Sequence, residues 1–200
     1  MYDQPSATLI LEPIERLNEQ LAKGRYFFVD VQKEGILLYD SGEYQLVEGR
    51  ELPWEERRPI AQDDYEQWFE SGEGFFIHAQ ISLDRNTFPD FKRSAFFLHQ
   101  ATESFYNAIL LVFTGYKKKE HDILKLGKKA RSHNLELFKI FPVDTPERKE
   151  CLDLLKDAYI KARYDKHYKI SKEQLLYLIE RVEELKKITE KICLEKLNKV

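Results

Sequence analysis

The sequence predicts a mainly α fold. Three observations point to it. Glycine and proline are scarce, 8 and 7 among 200 residues, so the chain has few places to turn tightly. Apolar residues recur at helical spacing, as in the stripe of Leu175, Leu178, Ile179, Val182, Leu185 and Ile192. Helix start signals stand ahead of such stretches. Asp122 precedes "ILKL", Thr145 and Pro146 precede "ERKE", and Ser171 and Gln174 of "SKEQ" have the spacing of a capping box.

The first fifty residues depart from this pattern and predict a small α/β segment. "ATLIL" is short and apolar and reads as a strand. "EPIERLNEQLAKG" has Ile14, Leu17 and Leu21 at helical spacing, with Gly24 as C-cap. "RYFFVDVQKEGILLYDSGEYQLV" reads as extended, with "DSG" as the turn between two strands. Such a segment buries little core by itself. Residues 1–50 are therefore expected to form this segment and residues 51–200 a helical domain. In the second part, Pro53 suits a first helical turn with acidic residues after it. The first long helix is predicted over about Pro59 to Leu83, weakened at Gly72 and Gly74, and "DRNTFPD" ends it. The second, from about Phe91 to Phe113, is the most apolar and stops at Gly115. The third is predicted over about Ile123 to Phe138, the fourth over about Glu147 to Ala162, and the fifth from the Ser171 cap to near Leu197.

The formal net charge of -3 gives no general pull toward nucleic acid, although "GYKKKEHDILKLGKKAR" is locally basic. Cys151 and Cys193 are far apart and form no disulfide or zinc pattern. No apolar run approaches a membrane span, and the N-terminus lacks the features of a signal peptide. A reducing cytoplasm without membrane contact is the expected setting.

Several residues carry chemistry. On the second helix, His99 and Glu103 stand at i and i+4 and share a face, with Gln100 and Asn107 on a neighbouring stripe. Two readings are open: a polar seam between helices, or a ligand-binding face whose aromatic neighbours stack on a base. His121 and Asp122 precede a helix. Asp122 is a natural N-cap, which leaves His121 available as a base or hydrogen-bond partner. "KARYDKHYKI" carries Arg163, Tyr164, His167 and Tyr168. Arginine clamps a phosphate and histidine transfers protons, so the two are the minimum kit for a metal-independent ribonuclease. The plainer reading is a loop whose arginine satisfies helix C-terminal carbonyls. The basic run of Lys117, Lys118, Lys119, Lys125, Lys128, Lys129 and Arg131 is either a solvated face or a phosphate-binding surface. No P-loop, dinucleotide fingerprint, serine elbow or helical metal-ligand pair occurs, and His78 and His133 have no assigned role.

"AFFLHQATESFYNAILLVFTGYKKKEHDILKLGKKA", followed by "DAYIKARYDKHYKI" and a final long helix, resembles the HEPN family (higher eukaryote and prokaryote nucleotide-binding). The resemblance covers about residues 55 to 197. It implies a five-helix antiparallel bundle, usually dimeric. "SATLILEPIERLNEQLAKGRYFFVDVQKEGILLYDSG" is similar to the end of a minimal nucleotidyltransferase domain, which in bacteria is often fused ahead of a HEPN domain. The glycine-serine motif and paired aspartates by which that family holds magnesium do not occur, and "ATLIL" lacks the third carboxylate. The chain thus resembles a fusion without its catalytic half, with no metal or cofactor of its own.

HEPN ribonucleases carry an arginine and a histidine with about four to six residues between them. Here Arg163 and His167 have three residues between them, and Lys161 and His167 have five with lysine in place of arginine. The resemblance therefore implies the noncatalytic branch, a nucleotide-binding and dimerisation module associated with a nucleotidyltransferase. Its site residues would be His99, Gln100, Glu103, His121, Arg163 and Tyr164, gathered where the second helix, the "HD" turn and the "ARY" turn converge. The alternatives are a metal-independent ribonuclease or toxin using Arg163 and His167, and a structural component of a toxin–antitoxin-like pair. Expected partners are a nucleotide or other phosphate-containing ligand, a second copy of the chain and a nucleotidyltransferase, with RNA left open.

Overall fold

The computed structural model describes residues 9–117 and 119–199. They are mainly helical, and the chain divides into two compact units, Met1–Glu55 and Glu56–Val200. The described residues hold seven α-helices and one short 3-10 helix, and no strand. The chain thus exceeds the five helices expected of the bundle, because the first segment adds two α-helices and the second a 3-10 turn, and the α/β character expected of the first segment is corrected.

In the first unit, α1 spans Ile14–Ala22 and α2 spans Tyr26–Glu34. Gly24, with φ of 63°, takes the left-handed conformation that ends α1, as its sequence position predicts. The stretch "YFFVDVQKE" is helical because Val29 folds inward to 4% exposure while Asp30, Lys33 and Glu34 ride outside. The following residues, 35–50, are irregular. A β-ladder needs a second backbone, and here side-chain amides take that place. Asn18 donates from Nδ2 to the Gln45 carbonyl (2.9 Å) and accepts from the Val47 amide (2.8 Å). Gln32 donates to the Val47 carbonyl (2.8 Å) and accepts from the Gly49 amide (2.6 Å). The "DSG" turn does form, with Gly42 at φ of 74° donating its N–H to the Asp40 carboxylate. Ala7 and Thr8 of "ATLIL" lie outside the described residues, and Leu9 to Leu11 are exposed and irregular.

The second unit is organised around one helix. α3 covers Trp54–Asp84 and α4 covers Phe88–Thr114. Every residue of α4 from Ala101 to Val112 is buried, the signature of a helix packed on all sides. α5 (Ile123–Ala130), α6 (Pro146–Tyr164) and α7 (Lys172–Leu197) all pack against it. α3 meets it through the Phe69 and Phe105 rings, 5.5 Å apart, and through Ser94 Oγ, which donates to the Ala79 carbonyl (2.8 Å). Gly115, at φ of 67°, ends α4 by donating its N–H to the Leu111 carbonyl.

The predicted third helix is shorter than expected. It stops at Ala130, where the His133 amide bonds back to the Ala130 carbonyl and Ser132 Oγ bonds to the Lys129 carbonyl. Asn134 then caps a new 3-10 turn, Leu135–Lys139, by accepting from the Glu136 amide. The three predicted caps are present. Asp122 accepts from the Leu124 and Lys125 amides, Thr145 accepts from the Arg148 amide, and Ser171 and Gln174 form a reciprocal capping box. Ser171→Ala removes half of that box and is expected to lower the unfolding free energy by about 0.5–2 kcal/mol, read by urea denaturation.

Candidate functional site

Four side chains meet where α4, the turn before α5, and α6 converge. His99 is 1% exposed, and its ring lies between two backbone carbonyls. Its Nδ1 stands 3.0 Å from the Leu155 oxygen and its Nε2 3.1 Å from the His121 oxygen. Glu103, one turn further on, is buried, and its carboxylate faces His121 Nδ1 at 3.1 Å from both oxygens. The Glu103 carboxylate also lies 3.8 Å from His99 Nε2. The Tyr159 ring of α6 stacks with both imidazoles, 5.3 Å from His99 and 4.7 Å from His121. Burial pushes the His99 imidazole below its ordinary pKa, while the Leu155 carbonyl and the Glu103 charge pull the other way. Lys117 lies over the Trp68 ring at 4.0 Å, and burial lowers its pKa against the opposing Glu103 charge.

One helical turn beyond Tyr159, Arg163 donates its Nε–H to the Tyr159 carbonyl (2.7 Å). The guanidinium sits among aromatic faces, 4.7 Å from the Tyr159 ring, 4.9 Å from Phe96 and 5.0 Å from Tyr164. Among the described residues its two terminal amines have no hydrogen-bond partner, so the fork that grips an oxyanion is open. It opens into a cleft of about 520 Å³ between the start of α4 and the end of α6, whose lining includes Lys92, Arg93, Phe96, Arg163, Tyr164 and Lys166. Lys92 donates to the Asp165 carbonyl (2.8 Å), tying the end of α6 to α4.

Sequence spacing thus grouped residues that the structure divides into two linked parts. His99, Glu103 and His121 form the buried part, and Arg163 and Tyr164 stand at the open cleft with Tyr159 between. Gln100 belongs to neither: its side-chain oxygen is buried without a partner among the described residues. Asn107 is fully buried and its amide likewise finds no partner there. His167 is exposed on the turn after α6, where its backbone N–H bonds to the Asp165 carboxylate, and it does not line the cleft. Tyr159, Phe96, Lys92, Arg93 and Lys166 escaped the sequence reading. Helical spacing carried a signal for Tyr159, four residues before Arg163 and so on its face.

The basic run does not form one surface. Lys117 is drawn to Trp68, Lys125 pairs with Glu120 (3.4 Å), Arg131 turns toward Phe138, and Lys118 lies outside the described residues. Both cysteines are buried free thiols, and burial pushes Cys193 up to about 12. Among the described residues no group of three histidine, cysteine or acidic side chains is placed to hold a metal ion. No described helix is long and apolar enough to cross a membrane.

No curated protein matches the chain. The family model of the HEPN domain matches residues 65–192, which take in α4, α5, α6, about two thirds of α3 and most of α7, together with both parts of the site. The chain belongs to the HEPN domain family.

Proposed function

We propose that this HEPN domain is a nucleotide-binding and dimerisation module that works with a nucleotidyltransferase and does no chemistry itself. The observation that carries the reading is the open guanidinium fork of Arg163 set among Phe96, Tyr159 and Tyr164 at the mouth of a basic cleft. A nucleotide offers a phosphate for the fork and a base for an aromatic face. Lys92 and Lys166 supply further positive charge around the phosphate, while Arg93 is paired with Asp90 (2.6 Å). His99 and Glu103 serve this site from behind, holding Tyr159 and through it Arg163. The noncatalytic character is supported by the exposed position of His167, away from the cleft lining, and by the engagement of His99 and His121 with Glu103 and backbone carbonyls. The nucleotidyltransferase association rests on the resemblance of the N-terminal segment. The cytoplasm is its proposed setting.

The test is thermal stability of the purified protein against a panel of nucleotides, with and without magnesium. A ligand confined to the folded state stabilises it by about 2.7 kcal/mol at a hundred times its dissociation constant. The expected result is a shift with at least one nucleotide that Arg163→Ala abolishes; Arg163 is exposed, so that variant keeps its fold. No shift with any nucleotide overturns the reading in favour of a structural, partner-binding component. RNA cleavage that resists chelators and is lost on His167→Ala replaces it with the ribonuclease. Light scattering on the same sample tests the dimer.

A further inference from the structure

A second cleft lies on another part of the helical unit, between α5, the 3-10 turn and the start of α6. Its volume is about 420 Å³, within the range of small-ligand sites. Its walls are mostly apolar, with Phe138 and Phe141 on one side. Phe138 is left 55% exposed there, although it belongs to the described fold and not to a terminus. Three polar groups enter this apolar space. Arg131, at the end of α5, lies with its guanidinium 5.4 Å from the Phe138 ring. No carboxylate pairs with it among the described residues, and its Nε is buried without an acceptor. Lys149 stands across the cleft, also without an ion pair among the described residues. The third group is the phenol of Tyr106, from the central helix α4.

Tyr106 reaches the cleft because residue 127 is glycine. A Cβ there would stand 3.0 Å from the Tyr106 hydroxyl, so the hydroxyl end of the ring sits close against α5. The hydroxyl has no hydrogen-bond partner among the described residues. The hydroxyl thus opens to the cleft, and the buried Arg131 Nε, left without an acceptor, is costly unless something supplies one. The remaining charge in the lining is Asp153. Arg131 and Lys149 against Asp153 leave one net positive charge, which matches a monoanion better than a dianion.

We propose that this cleft binds a small aromatic carboxylate, its flat body against Phe138 and Phe141 and its carboxylate on Arg131, Lys149 and the Tyr106 hydroxyl. This site shares no lining residue with the Arg163 cleft, and its assignment stands whether or not that cleft takes a nucleotide.

The test uses 2-naphthoate as probe, with neutral 2-naphthalenemethanol and the dianion 2-naphthyl phosphate as controls. Binding is read on the intact chain by NMR, following the Gly127 amide. The expected result is saturable binding of 2-naphthoate with a dissociation constant below about 1 mM and at least about tenfold weaker binding of both controls. Arg131→Met is expected to weaken 2-naphthoate about 10- to 100-fold, as loss of a charge-assisted bond does. Lys149→Gln, at an exposed position and so safe for folding, is expected to weaken it several-fold. Arg163→Ala leaves it unchanged. Absence of binding, equal binding of the neutral alcohol, tighter binding of the phosphate, or indifference to both Arg131→Met and Lys149→Gln each overturns the proposal.

Discussion

Phe105→Ala is expected to lower the unfolding free energy by about 3–5 kcal/mol, measured by urea denaturation. The Phe105 side chain is fully buried at the middle of α4, against Phe69 of α3, which in turn stacks on Tyr65 at 5.1 Å. Truncation removes the ring and leaves a cavity that three packed helices cannot close. The fit is also tight from the other side. A Cβ on Gly72 would stand 2.6 Å from the Phe105 ring, closer than any side-chain contact allows. Gly72→Ala is therefore expected to cost about 1–3 kcal/mol through overpacking, although alanine is the better helix former by about 1 kcal/mol. Gly74 has nothing within 4 Å of the same imagined atom, so Gly74→Ala is expected to stabilise by up to about 1 kcal/mol. The decisive measurement combines the first two. In the Phe105→Ala background the Gly72→Ala penalty should vanish or reverse, because the ring that forbids the methyl is gone. An unchanged penalty would mean that Gly72 is required for another reason.

The pair of glycines shows where the sequence was legible and where it was not. Local propensity counts both as equal defects in a helix. Only the partner helix separates them, and a partner is not written in local spacing. The caps were legible because their physics is local: Asp122, Thr145 and Ser171 each satisfy amides within three residues. The segment 35–47 was misread for the opposite reason. Its runs of apolar residues on either side of the "DSG" turn have the composition of strands, but strand formation depends on a second backbone, and Asn18 and Gln32 meet its polar groups instead. At the site, the i, i+4 spacing of His99 and Glu103 correctly placed them on one face. It could not show that the His121 and Leu155 carbonyls close on the ring, since those contacts cross 22 and 56 residues.

Stability is expected to fall as pH drops below about 6.5, and His99 is expected to carry much of that fall. The ring is buried, so the folded state holds its pKa below the ordinary histidine value near 6.5. Above that value both states hold neutral imidazole and the site costs nothing. As pH falls, the unfolded chain takes up a proton that the folded chain refuses, until the lowered folded pKa is reached. Each such group gives a slope of up to about 1.4 kcal/mol per pH unit within that window. The two carbonyls and Glu103 around the ring narrow the window, because they favour the protonated form, but burial prevails. His133, half-buried against the Phe113 ring at 5.1 Å, is shifted the same way by burial and adds to the slope. Asp90 and Asp144, held low by Thr87 and Arg148, act only below the usual carboxylate range and leave pH 5 to 6.5 to the histidines. The measurement is urea denaturation at half-unit steps across that interval. His99→Gln is expected to lose about 1–3 kcal/mol at pH 7.5, since the bond that the neutral imidazole donates to one of the two carbonyls is disrupted, and to show a shallower slope toward pH 5. His133→Gln should keep the steeper part. The same His99→Gln chain should bind nucleotide more weakly, because Tyr159, which carries Arg163 on the next turn, loses one of its two stacked rings. A His99→Gln variant with the parent slope would place the acid sensitivity elsewhere and remove the reason for burying an imidazole behind the cleft.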